Sequence, residues 1–61
     1  MWKIIEKIMK KQGISIFRLA KMTNIPDTTI RNYKNGSQLT FTNACKIADA
    51  LKVKLDDLRE R

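Results

Sequence analysis

Histidine is absent from the 61-residue chain, which removes the most frequent metal ligand and the most frequent general base from any mechanism. Cys45 is the single cysteine, so no intramolecular disulfide can form and a disulfide-stapled secreted miniprotein is excluded; this usage fits a reducing compartment. No apolar run approaches the ~18 residues that a membrane-spanning helix requires. The opening Met1-Trp2-Lys3-Ile4-Ile5-Glu6-Lys7 interleaves charged and apolar residues, so it lacks the apolar core of a signal peptide. A cytoplasmic protein is expected. Acids are also scarce: 6 Asp+Glu against 13 Lys+Arg leave a formal charge of +7. That excess calls for an anionic partner, with nucleic acid ahead of an anionic membrane surface and an acidic protein third.

What is present is globular in character. Hydrophobic residues make up 43% and charged residues 31%, outside the range of disordered chains. A domain of about 60 residues buries only about 60% of its unfolded surface, so the core has to be compact. One small domain, residues 1 to 61, is the expected organisation, with no room for a separate oligomerisation or ligand-sensing domain.

At ~100° per residue, Met1, Trp2, Ile4, Ile5, Ile8 and Met9 fall on one side of a helix and Lys3, Glu6, Lys7, Lys10 and Lys11 on the other. Gly13 is placed to stop that helix in a left-handed cap. Ser15 is the expected N-cap of a second helix over 16–23, with Leu19 and Ala20 inward. Pro26 opens a third helix, where its missing N–H is harmless. That helix runs to about Lys34, anchored by Ile30 and Tyr33, and Asn35-Gly36 ends it. Thr40 is the expected N-cap of a fourth, whose inner face would be Phe41, Ala44, Cys45, Ile47, Ala48 and Leu51. Leu55 to Arg59 adds one short turn with Asp56 and Asp57 at its favourable N-terminal end. The expected fold is all-α, five short helices, with no strand alternation or internal repeat.

The second and third helices are about two turns each and are separated only by Asn24-Ile25-Pro26. This is helix-turn-helix spacing over about 15–35, in which the second helix can lie in a DNA major groove. Gly13-Ile14-Ser15, Leu19-Ala20, Ile25, Thr29-Ile30, Asn35-Gly36, Ile47-Ala48-Asp49-Ala50-Leu51 and Val53-Lys54-Leu55-Asp56-Asp57-Leu58 follow in order. From about Ile5 to Leu58 the chain resembles the Cro/cI-like (XRE) helix-turn-helix family of phage repressors. The resemblance implies a five-helix, lambda-repressor-like DNA-binding domain whose third helix reads base edges. Carried onto this sequence, it makes Pro26 to Tyr33 the recognition segment.

With Ile30 and Tyr33 inward, the groove-facing candidates are Asp27, Thr28, Arg31 and Asn32. Asn32 can pair bidentately with adenine, Arg31 can reach guanine or a phosphate, Thr28 can bond a base or touch a thymine methyl, and Asp27 can accept from cytosine N4. Asp27 alternatively serves only the helix dipole. The resemblance also implies backbone clamps after the recognition helix, which here are Asn35, Ser37, Gln38 and Thr40; Ser15 and Lys34 are further phosphate candidates. All can donate to phosphate oxygens, and the N–H groups after Thr40 add an anion site. Capping alone would equally account for Asn35 and Thr40. Charge is distributed to match: residues 1–34 carry eight bases and two acids, a balance of +6, and residues 35–61 only +1.

Three positions depart from the family pattern. Ile16 stands where a phosphate-contacting Gln is usual, and Phe17 follows it. Together they form either an apolar patch beside the DNA or, as is more frequent for an aromatic in a short helix, part of the core. Met9 and Lys34 replace a common Arg–Glu pair, a coherent double change because a lone buried charge is costly. Leu39 replaces a common Pro.

No enzyme is expected. Cys45 lies at a helical core position, where a small buried hydrophobe is the expected role, and Asp56 and Asp57 point in different directions, so no nucleophile–base pair or convergent acid pair forms. No cofactor, metal or small-molecule ligand is expected. The expected partner is double-stranded DNA, the expected role that of a transcriptional repressor, and a homodimer is expected on a palindromic operator. Trp2, Val53, Leu55 and Leu58 are the candidate dimer surface. The alternative is a helix-turn-helix adaptor or antitoxin module acting through a protein partner, since fold does not fix function.

Overall fold

Gly13 takes φ 70°, a conformation that costs a residue with a Cβ about 1–2 kcal/mol. There it closes the first helix: its N–H bonds to the Lys10 carbonyl and the N–H of Ile14 bonds to that of Met9. The computed structural model describes residues 1–59. Over these it contains α1 (Trp2–Gln12), α2 (Ile16–Thr23), α3 (Asp27–Lys34), α4 (Phe41–Leu51) and a 3-10 turn, Leu55–Leu58. The architecture is all-α as expected, with one correction of count: the fifth element is a single 3-10 turn. Pro26 also sits one place earlier than expected, as the N-cap residue of α3.

The core forms where the apolar stripes meet. Ile5, Leu19, Ile30, Ile47, Leu51 and Leu58 are completely buried, one or two from each element, and each contributes about 1.5–3 kcal/mol by leaving water. Helix α2 packs on both α3 and α4, and the 3-10 turn closes against α1 and α4. Gln12 donates its side-chain amide to the Leu51 carbonyl at 2.9 Å, joining the C-terminal ends of α1 and α4. That carbonyl belongs to the last turn of α4, where no intrahelical partner exists.

Two expected core residues are not in the core. Phe41 is 70% exposed. It is the first residue of α4, whose buried stripe begins one turn later at Ala44, while Leu39 in the preceding loop packs against the core instead. Cys45 is half-buried on the flank of that stripe. Of the candidate dimer residues, Leu58 is fully enclosed and unavailable to a partner, and Trp2, Val53 and Leu55 are half-buried against the core.

Candidate nucleic-acid interface

The turn between α2 and α3 is fixed by one buried hydroxyl. Thr23 donates to the Leu19 carbonyl at 2.7 Å and accepts from the Ile25 N–H at 3.3 Å. Asn24 then turns the chain at φ 59°, a left-handed conformation that Asn tolerates better than most residues. Ile25 is buried and Pro26 follows it in extended geometry. The Pro26 carbonyl accepts the N–H groups of Thr29 and Ile30, so α3 starts at a defined residue and angle. None of these turn residues touches a base in any reading; their role is to aim α3.

Helix α3 is held by Ile30 and Tyr33, both buried. Helical geometry places Asp27, Arg31, Thr28 and Asn32 in that angular order over an arc of about 140° on the opposite side. All four are exposed. Within this arc the carboxylate of Asp27 lies 3.5 Å from Arg31 Nε, a contact between i and i+4. Thr28 and Asn32 complete a short row of donors and acceptors sized for base edges.

The far end of α3 is equally well defined. The Asn35 N–H bonds to the carbonyls of Arg31 and Asn32, and the Ser37 N–H reaches back to Asn32 at 2.9 Å. This needs the left-handed φ of 107° at Gly36. Tyr33 Oη accepts from Asn43 Nδ2 at 2.7 Å, which ties the first turn of α4 to α3. Asn43 holds α4 against α3, a contact that the sequence pattern did not single out. Its only signal is a polar residue three places after a capping Thr, next to the buried stripe.

Every expected backbone clamp residue is exposed: Ser15, Lys34, Asn35, Ser37, Gln38 and Thr40. Ser15 Oγ accepts from the Arg18 N–H at 3.1 Å, and Thr40 Oγ1 from the Asn43 N–H at 3.2 Å. Both therefore cap as expected. Capping uses each hydroxyl as an acceptor and leaves its O–H free to donate, so a cap can also hold a phosphate. The N–H groups of Phe41 and Thr42 have no intrahelical carbonyl to bond. Lys34, Ser37, Gln38 and Leu39 line one open groove together with Trp2 and Lys3 of α1. The structure thus adds Lys3 to this cationic edge, a residue the sequence pattern left among the solvated lysines.

Phe17 is 60% exposed, so of the two readings of Ile16-Phe17 the surface patch holds for Phe17, while Ile16 packs on the core. The Lys21 ammonium lies 4.7 Å from the centre of the Phe17 ring, a cation–π contact at one-turn spacing. Phe17 and Lys21 border the α2–α3 turn together with Asn24, Pro26 and Asp27. The expected replacement of an Arg–Glu pair is also visible: Met9 is buried, and Lys34 faces solvent.

Among the described residues no helix is long and apolar enough to cross a membrane. No curated protein and no solved structure matches the chain significantly. A family model, described as helix-turn-helix, matches residues 5–58, which run from within α1 to the end of the 3-10 turn. With the α2–turn–α3 geometry in place and the match covering most of its length, the chain belongs to the Cro/C1-type (XRE) helix-turn-helix family of DNA-binding regulators.

Proposed function

We propose that the protein is a sequence-specific, double-stranded DNA-binding transcriptional repressor that acts in the cytoplasm by occupying its operator. The observation that carries this reading is the outward arc of Asp27, Thr28, Arg31 and Asn32, presented by a helix whose opposite side is locked by Ile30 and Tyr33. Asn32 fits adenine, Thr28 fits a base edge or a thymine methyl, and Arg31 and Asp27 supply the charged pair. Ser15, Lys34, Asn35, Ser37, Gln38 and Thr40 hold phosphates on either side and set the register. The chain acts as a binding protein and carries out no reaction. A homodimer on a palindromic site, with half-sites about 34 Å apart, is the arrangement proposed for the complex.

Exposure of Phe17 and Phe41 favours one second reading, an adaptor or antitoxin module that uses those aromatics to engage a protein partner. Selection from a randomised duplex library separates the two. Repression predicts enrichment of one sequence; the adaptor reading predicts no enriched sequence and recovery of one stoichiometric protein in a pull-down.

A further inference from the structure

Of the two charged residues on the outward arc of α3, one is already engaged by the other. Asp27 Oδ2 lies 3.5 Å from Arg31 Nε, with the two side chains 50% and 61% exposed. A guanidinium is planar, with five N–H groups and two edges able to make paired hydrogen bonds. A carboxylate at Nε occupies the edge that contains Nε and leaves the terminal edge, formed by the two Nη groups, unoccupied. Asp27 is itself held in place as the first residue of α3, where the positive end of the helix dipole favours its charge.

We propose that Asp27 is a positioning residue that presents the terminal edge of Arg31 to the O6 and N7 atoms of a guanine, rather than a direct reader of cytosine. The inference rests on the DNA-binding function proposed above and deepens it by naming one base and its reader. An unpaired carboxylate entering a groove lined by phosphates would be repelled. The Asp27–Arg31 pair carries no net charge, and its carboxylate already has a cationic neighbour when it arrives. An exposed pair adds little to the stability of the free protein. Its effect comes on docking, when a long side chain no longer has to be ordered and departing water strengthens the contact.

Loss of guanine preference is the signature that a simple helix-dipole role would not produce, whereas a gain in random-duplex affinity follows from the charge change in either case. Asp27→Asn removes one acid from a protein of charge +7, so it raises affinity for random duplex while it lowers preference for guanine. The test is selection from a randomised duplex library with the wild-type chain, followed by binding of the enriched duplex and its single-base variants. Asp27→Asn, Asp27→Glu, Arg31→Ala and Arg31→Lys are compared, each checked for folding by thermal melting. A good bidentate contact discriminates roughly 5- to 150-fold.

The expected result is a guanine position at which Arg31→Ala, Arg31→Lys and Asp27→Asn all lose that preference while Asp27→Glu keeps most of it. Retention of guanine preference by Asp27→Asn overturns the positioning role. Loss at a different, cytosine position makes Asp27 a reader in its own right and also overturns it. Arg31→Lys behaving like wild type assigns Arg31 to a phosphate. Each of these leaves sequence-specific binding intact, whereas failure of the wild-type chain to enrich any sequence overturns the proposed function and this inference together.

Discussion

Asn43 donates its side-chain amide to Tyr33 Oη at 2.7 Å, joining the start of α4 to the inward face of α3. Because the phosphate-binding candidates Ser37, Gln38 and Thr40 lie on the chain between these two residues, the bond fixes their distance from the outward arc of α3. Tyr33→Phe should destabilise the fold by about 0.5–1.5 kcal/mol, read as a shift in the urea or thermal midpoint. A double-mutant cycle with Asn43→Ala should show coupling of similar size. Both variants should weaken binding to every duplex alike, since they loosen the proposed clamp and leave the outward side chains of α3 unchanged.

The two caps allow stability and DNA contact to be separated. Ser15→Ala and Thr40→Ala should each cost about 1 kcal/mol, whereas Gly at either position costs only a few tenths. The hydroxyl is lost in both cases. Ser15→Gly and Thr40→Gly should therefore retain nearly full stability and still lose affinity for DNA, measured by fluorescence anisotropy. Unchanged affinity in the Gly variants would confine these hydroxyls to capping.

Lys52 occupies a left-handed conformation, φ 59°, at the end of α4. A residue with a Cβ is strained there, so Lys52→Gly should stabilise the protein by about 0.5–1 kcal/mol after the greater freedom of Gly in the unfolded chain is counted. Asn24 has the same φ at the α2–α3 turn. Asn24→Gly should be neutral to mildly stabilising there, and Asn24→Val should destabilise by at least about 1 kcal/mol. Urea titration checks all three.

Salt dependence reports on the cationic edge. Each phosphate contact adds about 0.9 to the magnitude of the slope of log Kobs against log salt. Lys34→Gln and Lys3→Gln, at the groove shared by α1 and the α3–α4 loop, should each reduce it by about that amount. Lys54→Gln, in the nearly neutral second half of the chain, should leave it unchanged. Equal effects of all three would point to diffuse attraction without a defined clamp.

Much of this geometry was legible in the sequence because it is locally determined. Gly13, Ser15, Asn35-Gly36 and Thr40 each act on the backbone within a few residues, and they bound the helices where their chemistry says they should. Ile30 and Tyr33 were legible as the inward pair of α3, which by subtraction exposes the outward arc. Phe41 was not, because periodicity extends a stripe to the helix end without registering that Leu39 in the loop packs on the core there. Phe17 was misjudged for a related reason: an aromatic in a two-turn helix is favoured in the core, but Leu19 and Ile16 already supply the buried and half-buried contacts of α2. The bonds from Asn43 to Tyr33 and from Gln12 to Leu51 cross between helices, and no local pattern announces them. The Asp27–Arg31 pair was available from its spacing of four, and only its geometry shows which edge of Arg31 remains open.

The central claim is that residues 27 to 32 of α3 enter the major groove and determine sequence preference. Amide chemical-shift mapping of the labelled protein, titrated with its selected duplex and with a scrambled one, tests it most directly. The account predicts that both duplexes perturb Ser15, Ser37, Gln38 and the amides following Thr40, and that only the selected duplex adds large shifts across Asp27 to Asn32, including the Asn32 side-chain amide. Perturbations confined to other surfaces, or identical shifts at Asp27 to Asn32 with both duplexes, would contradict it.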